Sequence, residues 1–134
     1  MPETSIIIRT KDEEKWLGEC LHRLRNQTYI NFEILIVDSG STDRTLEIAR
    51  QFPTKIVQIK PEEFSYPHAL NYGCNRAQAS KYFVSLSDHS LPISNTWLAD
   101  GLSNFTDSSI AGVYGPVRAM PDAYFWEKVF SNIF

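Results

Sequence analysis

The sequence predicts an α/β domain built on a mostly parallel sheet. Three observations carry that expectation. Short β-branched runs such as Ser5-Ile6-Ile7-Ile8 and Ile34-Leu35-Ile36-Val37 show no alternation, which fits strands covered on both faces. Apolar residues at helical spacing fill the stretches between such runs. The connections are short, and the order reads β-α-β-α-β-α-β-α-β.

Each element has its own signal. Ser5 to Ile8 is the first strand, followed by Trp16, Leu17, Cys20, Leu21 and Leu24 on one helix face. Asp12 is placed to cap that helix, with Glu13 and Glu14 near its N-terminal dipole. Ile34 to Val37 is the second strand and ends at Asp38, where Ser39-Gly40-Ser41-Thr42-Asp43 supplies turn and cap residues. Leu46, Ile48, Ala49 and Phe52 mark a second helix closed by Pro53, and Lys55 to Ile59 a third strand. Pro61 to Pro67 reads as loop. A third helix is expected from His68 to Ala79, with Ala69, Leu70, Gly73, Cys74 and Ala77 at helical spacing. Tyr82 to Leu86 is a fourth strand running into Ser87-Asp88-His89-Ser90. Trp97, Leu98, Leu102 and Phe105 predict a fourth helix, and Ala111 to Gly115 a fifth strand.

The chain has 134 residues, enough for one domain with a real core. Its 43% hydrophobic and 22% charged residues exclude a disordered composition. A formal charge of −3 excludes a broadly basic nucleic-acid footprint. Cys20 and Cys74 are too few for a disulfide scaffold and read as buried free thiols, which suits a reducing compartment. No run of about 18 apolar residues is present, so a membrane span or signal peptide is not expected and a cytoplasmic location is. The C-terminal end is poor in charge and rich in aromatics: Tyr124, Phe125, Trp126, Val129, Phe130, Ile133 and Phe134. Such an ending predicts an apolar patch and self-association.

Ligands of open α/β sheets bind beyond the carboxyl ends of the strands. Those ends carry Arg9-Thr10-Lys11-Asp12-Glu13, Asp38-Ser39-Gly40-Ser41 and Ser87-Asp88-His89-Ser90. No glycine follows the first strand, which argues against a dinucleotide-binding fingerprint, and no P-loop occurs. A phosphorylatable receiver domain would need its Asp after the third strand and a Lys after the fifth; neither is present. Asp38 has two readings: an acceptor for a ribose hydroxyl or base N–H, or a cap for the turn to the next helix.

Three segments together resemble the start of a family 2 glycosyltransferase. They are Ser5 to Glu13, Cys20-Leu21-His22-Arg23-Leu24-Arg25-Asn26-Gln27-Thr28-Tyr29, and Phe32-Glu33-Ile34-Leu35-Ile36-Val37-Asp38-Ser39-Gly40-Ser41-Thr42-Asp43. Further on, Ala69-Leu70-Asn71 is similar to the family's Ala-Arg-Asn helix start, and Trp97-Leu98 to a Trp-Leu after its metal motif. Ala111 to Gly115 resembles the rhamnosyltransferase-like branch. The resemblance covers residues 5 to about 122.

It implies a GT-A fold, here an α/β/α sandwich cut short after its nucleotide-sugar-binding portion. It also implies a nucleotide-diphospho-sugar donor, a divalent metal (manganese or magnesium) and inverting transfer to a glycan or lipid-linked acceptor. Cell-envelope polysaccharide synthesis at the inner membrane face, with peripheral membrane association, follows by the same analogy. Carried over residue by residue, Thr10, Asp12 and Glu13 line the nucleoside pocket, and Asp38 contacts base or ribose. Ser39 stands where many members have a second Asp. Asn71 joins the donor-binding set by organising its loop. Counting back from Pro92 puts Ser87 and His89 in the two Asp positions of the metal motif. Strand alternation then turns His89 toward the metal and Asp88 toward ribose or sugar. Arg9, where the family has Pro, reads as a surface ion pair in preference to a phosphate contact. The family's catalytic base lies in its C-terminal half; Glu127 alone is available here, and no base is assigned. The rival reading is a non-catalytic nucleotide-sugar-binding or interaction module of the same fold, which Ser39, Ser87 and His89 favour.

Overall fold

A computed structural model describes residues 1–79, 81–119 and 122. The elements are β1 (Thr4–Thr10), α1 (Leu17–Arg25), β2 (Phe32–Asp38), α2 (Thr45–Ala49), β3 (Lys55–Gln58), a single 3₁₀ turn (Pro61–Glu63), α3 (Tyr66–Cys74), β4 (Tyr82–Ser87) and α4 (Trp97–Leu102). The chain forms two compact units, residues 1–98 and 99–134.

The first unit holds a four-stranded parallel sheet in the order β3-β2-β1-β4. β1 is central because it can be: Thr4 to Ile8 are all fully buried, and a run of β-branched residues tolerates cover on both faces. On one face, Ile7, Leu35, Val37, Ile59 and Ala69 form a buried cluster beneath α3. The helix comes this close because position 73 is glycine. A Cβ there would stand 2.5 Å from Ile7 Cγ2 and 3.0 Å from Val37 Cγ2. Alternation sends Ile6, Ile8, Ile34 and Ile36 to the other face. α1 and α2, packed against each other, are left to cover it. The apolar stripe of α1, Leu17, Cys20, Leu21 and Leu24, is fully buried. Burial pushes the Cys20 thiol up to about 12, which makes it an inert core group.

Several expectations need correction. Asp12 does not cap α1, which starts five residues later at Leu17 with Trp16 before it. Asp12 instead takes a left-handed conformation (φ 49°) and turns its carboxylate to the loop after β2. α3 starts two residues early, because the Ser65 hydroxyl accepts the His68 amide and Pro67 suits the first turn. It ends at Cys74 rather than Ala79. The Gln78 amide donates to the Glu33 carboxylate and the Ala79 amide to Ser5 Oγ (3.2 Å), so these residues fasten the chain to the sheet instead of continuing the helix.

In the second unit, residues 111–119 form no strand. Gly112, Gly115 and Pro116 weaken that segment's strand tendency. No ladder partner stands beside it among the described residues, and Tyr114 is 97% exposed. The aromatic residues from Tyr124 to Phe134, Glu127 included, lie outside the described residues.

The close approach at Gly73 makes a test. Gly73→Ala should lower the urea midpoint, because overpacking by about 1–3 kcal/mol outweighs a helix-propensity gain of up to about 1 kcal/mol. Gly101→Ala, where a Cβ meets nothing within 4 Å, should hold or raise it.

Candidate functional site

The parallel register sets the strand ends level. Thr10 of β1 pairs with Asp38 of β2, and Arg9 with Ser87 of β4. The loops leaving these ends are laced together by backbone amides. Ser39 N–H donates to the Thr10 carbonyl (3.0 Å). Lys11 N–H donates to Asp88 Oδ2 (3.3 Å), Asp12 N–H to Ser41 Oγ (2.9 Å) and Glu13 N–H to Thr45 Oγ1 (2.8 Å). In return the Asp12 carboxylate accepts the Thr42 amide (2.7 Å).

Asp38 is wholly buried. It accepts from the amides of Gly40 (3.1 Å) and Ser41 (3.2 Å) and from the Gln58 side chain (3.3 Å). A buried carboxylate satisfied in this way fixes a turn. The turn itself needs Gly40, whose φ is +94° and whose added Cβ would sit 2.7 Å from Pro61 Cγ.

A cleft of about 320 Å³ opens at this edge of the sheet. Arg9, Thr10, Lys11 and Glu13 line it from the β1 end, Ser39 from β2, and Ser87, Asp88 and His89 from β4. Pro61, Phe64 and Tyr66 line it from the segment after β3. Its volume lies at the lower end of the range for small-molecule sites.

One part of the lining is acidic. Glu13, Asp88 and His89 each place a ligand atom within 4.8 Å of the others. His89 Nδ1 is 3.1 Å from Asp88 Oδ1 and 3.9 Å from Glu13 Oε2, and Ser87 Oγ lies 3.1 Å from the same nitrogen. Burial and then the nearby Asp88 charge raise the Glu13 carboxyl above its ordinary range. Two carboxylates with an imidazole form a donor set that manganese or magnesium accepts. Another part is aromatic and cationic. Phe64 and Tyr66 meet edge to face at 5.3 Å, and the Arg9 guanidinium lies 4.7 Å from the Tyr66 ring centre.

Of the residues expected in the site, Thr10, Glu13, Ser39, Asp88 and His89 line the cleft. Asp12 and Asp38 are not part of the lining; they hold the loops that form it. Asn71 lies exposed on α3 and outside the lining. Asp88 does not turn away from His89. β4 ends at Ser87, so alternation no longer governs the next two residues, and both enter the cleft beside Glu13. Arg9 makes no ion pair among the described residues. Lys11, Pro61, Phe64 and Tyr66 were missed. Two aromatics flanking Ser65 in a loop directly after a strand were the available signal.

Comparison with known proteins agrees with this architecture. The sequence model of glycosyl transferase family 2 matches residues 5–131. The chain belongs to that family. Among curated relatives, the O-antigen chain rhamnosyltransferase WbaN of Salmonella anatum is 31% identical over 123 residues, covering 90% of this chain and 38% of the relative. Glycosyltransferase AglE of Haloferax volcanii is 32% identical over 124 residues, covering 88% and 40%. This family 2 chain therefore spans about two fifths of those relatives. Among solved structures, residues 1-349 of S. aureus TarS match with a TM-score of 0.68 at 25% identity, over 77% of this chain and 32% of that one. The mannosyltransferase PcManGT from Pyrobaculum calidifontis, solved with GDP-Man and Mn2+, shares the fold with a TM-score of 0.72 at 24% identity, over 81% and 34%. The α/β sheet is thus the N-terminal part of a GT-A glycosyltransferase fold.

The raised Glu13 carboxyl has a consequence for stability. The folded value lies above the ordinary 4.5, so the stability Glu13 contributes is full below that pH and lost as pH rises through the folded value. Without divalent cation, Glu13→Gln should melt higher than the native protein at pH 7 and about equally at pH 4. Thermal melts in chelator at both pH values check this.

Proposed function

We propose that this chain is the nucleotide-sugar-binding portion of a family 2 glycosyltransferase. The whole enzyme would move a hexosyl or deoxyhexosyl group from a nucleotide-diphospho-sugar to a hydroxyl of a glycan or lipid-linked acceptor, with inversion. The observation that carries the reading is the gathering of Glu13, Asp88 and His89 at the rim of a cleft formed by three level strand ends.

Thr10 and Ser39 meet the nucleoside. Thr10 is 3% exposed, and its Oγ1 is buried without a hydrogen-bond partner among the described residues. A buried hydroxyl left unpaired in a native fold calls for a partner. Asp12 and Asp38 act indirectly, by fixing the loop that follows Thr10 and the loop that carries Ser39. Glu13, Asp88 and His89 would hold a manganese or magnesium ion, which supplies positive charge to the departing diphosphate. The acceptor oxygen attacks the anomeric carbon on the face opposite that diphosphate and gives its proton to a general base, which is not assigned to any residue of this chain. Support for a nucleotide-sugar donor comes from TarS of S. aureus, solved with UDP-GlcNAc at 25% identity to this chain. No helix among the described residues is long and apolar enough to cross a membrane. Under this reading the protein works in the cytoplasm, at the inner membrane face when the acceptor is lipid-linked.

Calorimetry with a panel of UDP-, GDP- and dTDP-sugars, with manganese and with chelator, tests the proposal. One donor should bind with manganese and bind far more weakly in chelator. Asp88→Asn and His89→Ala should each weaken that binding by about tenfold or more. Saturating donor at about 100 times Kd should add about 2.7 kcal/mol of stability. Binding by no donor in the panel would contradict the reading. Binding without acceptor-dependent turnover in the intact enzyme would favour the non-catalytic module.

A further inference from the structure

Arg9 is the residue in the cleft with chemistry still unused. Its side chain is partly buried, and its Nε is shielded from solvent with no hydrogen-bond partner among the described residues. Among the described residues no carboxylate pairs with it. Arg9 shares the cleft lining with Glu13 and Asp88, yet no ion pair joins it to either among the described residues. What holds the guanidinium is the ring of Tyr66, 4.7 Å away, and Tyr66 is in turn set edge-on against Phe64 at 5.3 Å.

The choice of a ring as partner has a specific effect. A carboxylate would neutralise the guanidinium and occupy its N–H donors. An aromatic face orients the planar group and leaves both its charge and its donors available. A buried cationic donor with no acceptor is unfavourable in the free protein. Its presence in a ligand cleft is accounted for when an anion completes it. In the same cleft the carboxylates of Glu13 and Asp88 face an imidazole and suit a cation, which leaves the Arg9 wall for negative oxygen. The forked guanidinium matches two oxygens of one phosphate.

We propose that Arg9 is a phosphate-binding residue for the donor: its guanidinium, seated on the Tyr66 ring, donates to non-bridging oxygens of the nucleotide's diphosphate. This deepens the donor-binding reading and rests on it. The diphosphate is then held from two parts of the lining, by Arg9 and by the Glu13, Asp88 and His89 group with its cation. Tyr66 is a positioning residue, because it acts through Arg9.

The test compares uridine with UDP, guanosine with GDP, and thymidine with dTDP, on the native protein, Arg9→Met, Arg9→Lys and Tyr66→Ala, by calorimetry in manganese. Arg9→Met keeps the unbranched stem and its packing. It should weaken the preferred nucleoside diphosphate by about ten- to a hundredfold and leave the matching nucleoside unchanged. Arg9→Lys should recover part of the loss. Tyr66→Ala should show a smaller loss of the same pattern. Tyr66 is 66% exposed, so that variant folds and carries the comparison if Arg9→Met does not. Unchanged diphosphate affinity in Arg9→Met, or in Tyr66→Ala where that variant stands in for it, would overturn the assignment. An equal loss of nucleoside and diphosphate would do the same, since it would make Arg9 a base contact. If the native protein binds none of the three diphosphates, the donor-binding reading fails and this inference fails with it.

Discussion

The site depends on the level ends of three parallel strands. β1 is clamped between β2 and β4 in a register that places Thr10 beside Asp38 and Arg9 beside Ser87. One residue of slip would take Ile7 and Val37 out from beneath Gly73, so the close packing of α3 holds that register. With the ends level, a loop from one strand can satisfy the backbone of the next. Asp12 accepts from the loop after β2, Asp88 from the loop after β1, and Asp38 from its own turn. Each bond is modest; together they fix the floor of the cleft by the same backbone groups that close the sheet.

The carboxylates divide into two kinds. Asp38 is fully buried and satisfied by two amides and a glutamine, so its charge serves the fold. Glu13 lies near Asp88, and its carboxyl is pushed upward by burial and by that neighbour. A protein selected for stability alone would not place them together; a protein that receives a cation there would. Arg9 is the counterpart on the basic side, held on a ring instead of an acid. The free protein thus gathers carboxylates in one part of the cleft and, in another, a guanidinium that no carboxylate pairs with among the described residues. A ligand that combines a cation with a diphosphate answers both.

Much of the fold was legible because its signals are local. β-branched runs, helical spacing and the Ser-Gly-Ser-Thr turn after Asp38 located four strands and four helices to within a few residues. The failures came where tertiary bonds override local pattern. Gln78 and Ala79 read as helix, but their amides fasten to Glu33 and Ser5. Residues 111–115 read as strand, yet a strand is defined by a partner, and none stands beside that segment among the described residues. Asp12 read as a helix cap, but its bonds run to a loop some 30 residues away. In the cleft, residue-wise carry-over from the family resemblance named Thr10, Glu13, Ser39, Asp88 and His89, and these five line it. It could not show that the strand ends at Ser87, which is what brings Asp88 and His89 together. Phe64 and Tyr66 went unseen because Pro61 to Pro67 read as plain loop, although Tyr66 opens α3.

The central claim is that Glu13, Asp88 and His89 form the cation site of a donor cleft. Anomalous diffraction from crystals grown with manganese and the donor nucleotide tests it most directly. The account predicts one anomalous peak within bonding distance of Glu13, Asp88 and His89, with the diphosphate beside it. A bound nucleotide with no manganese at these residues, or manganese bound elsewhere in the chain, would contradict it.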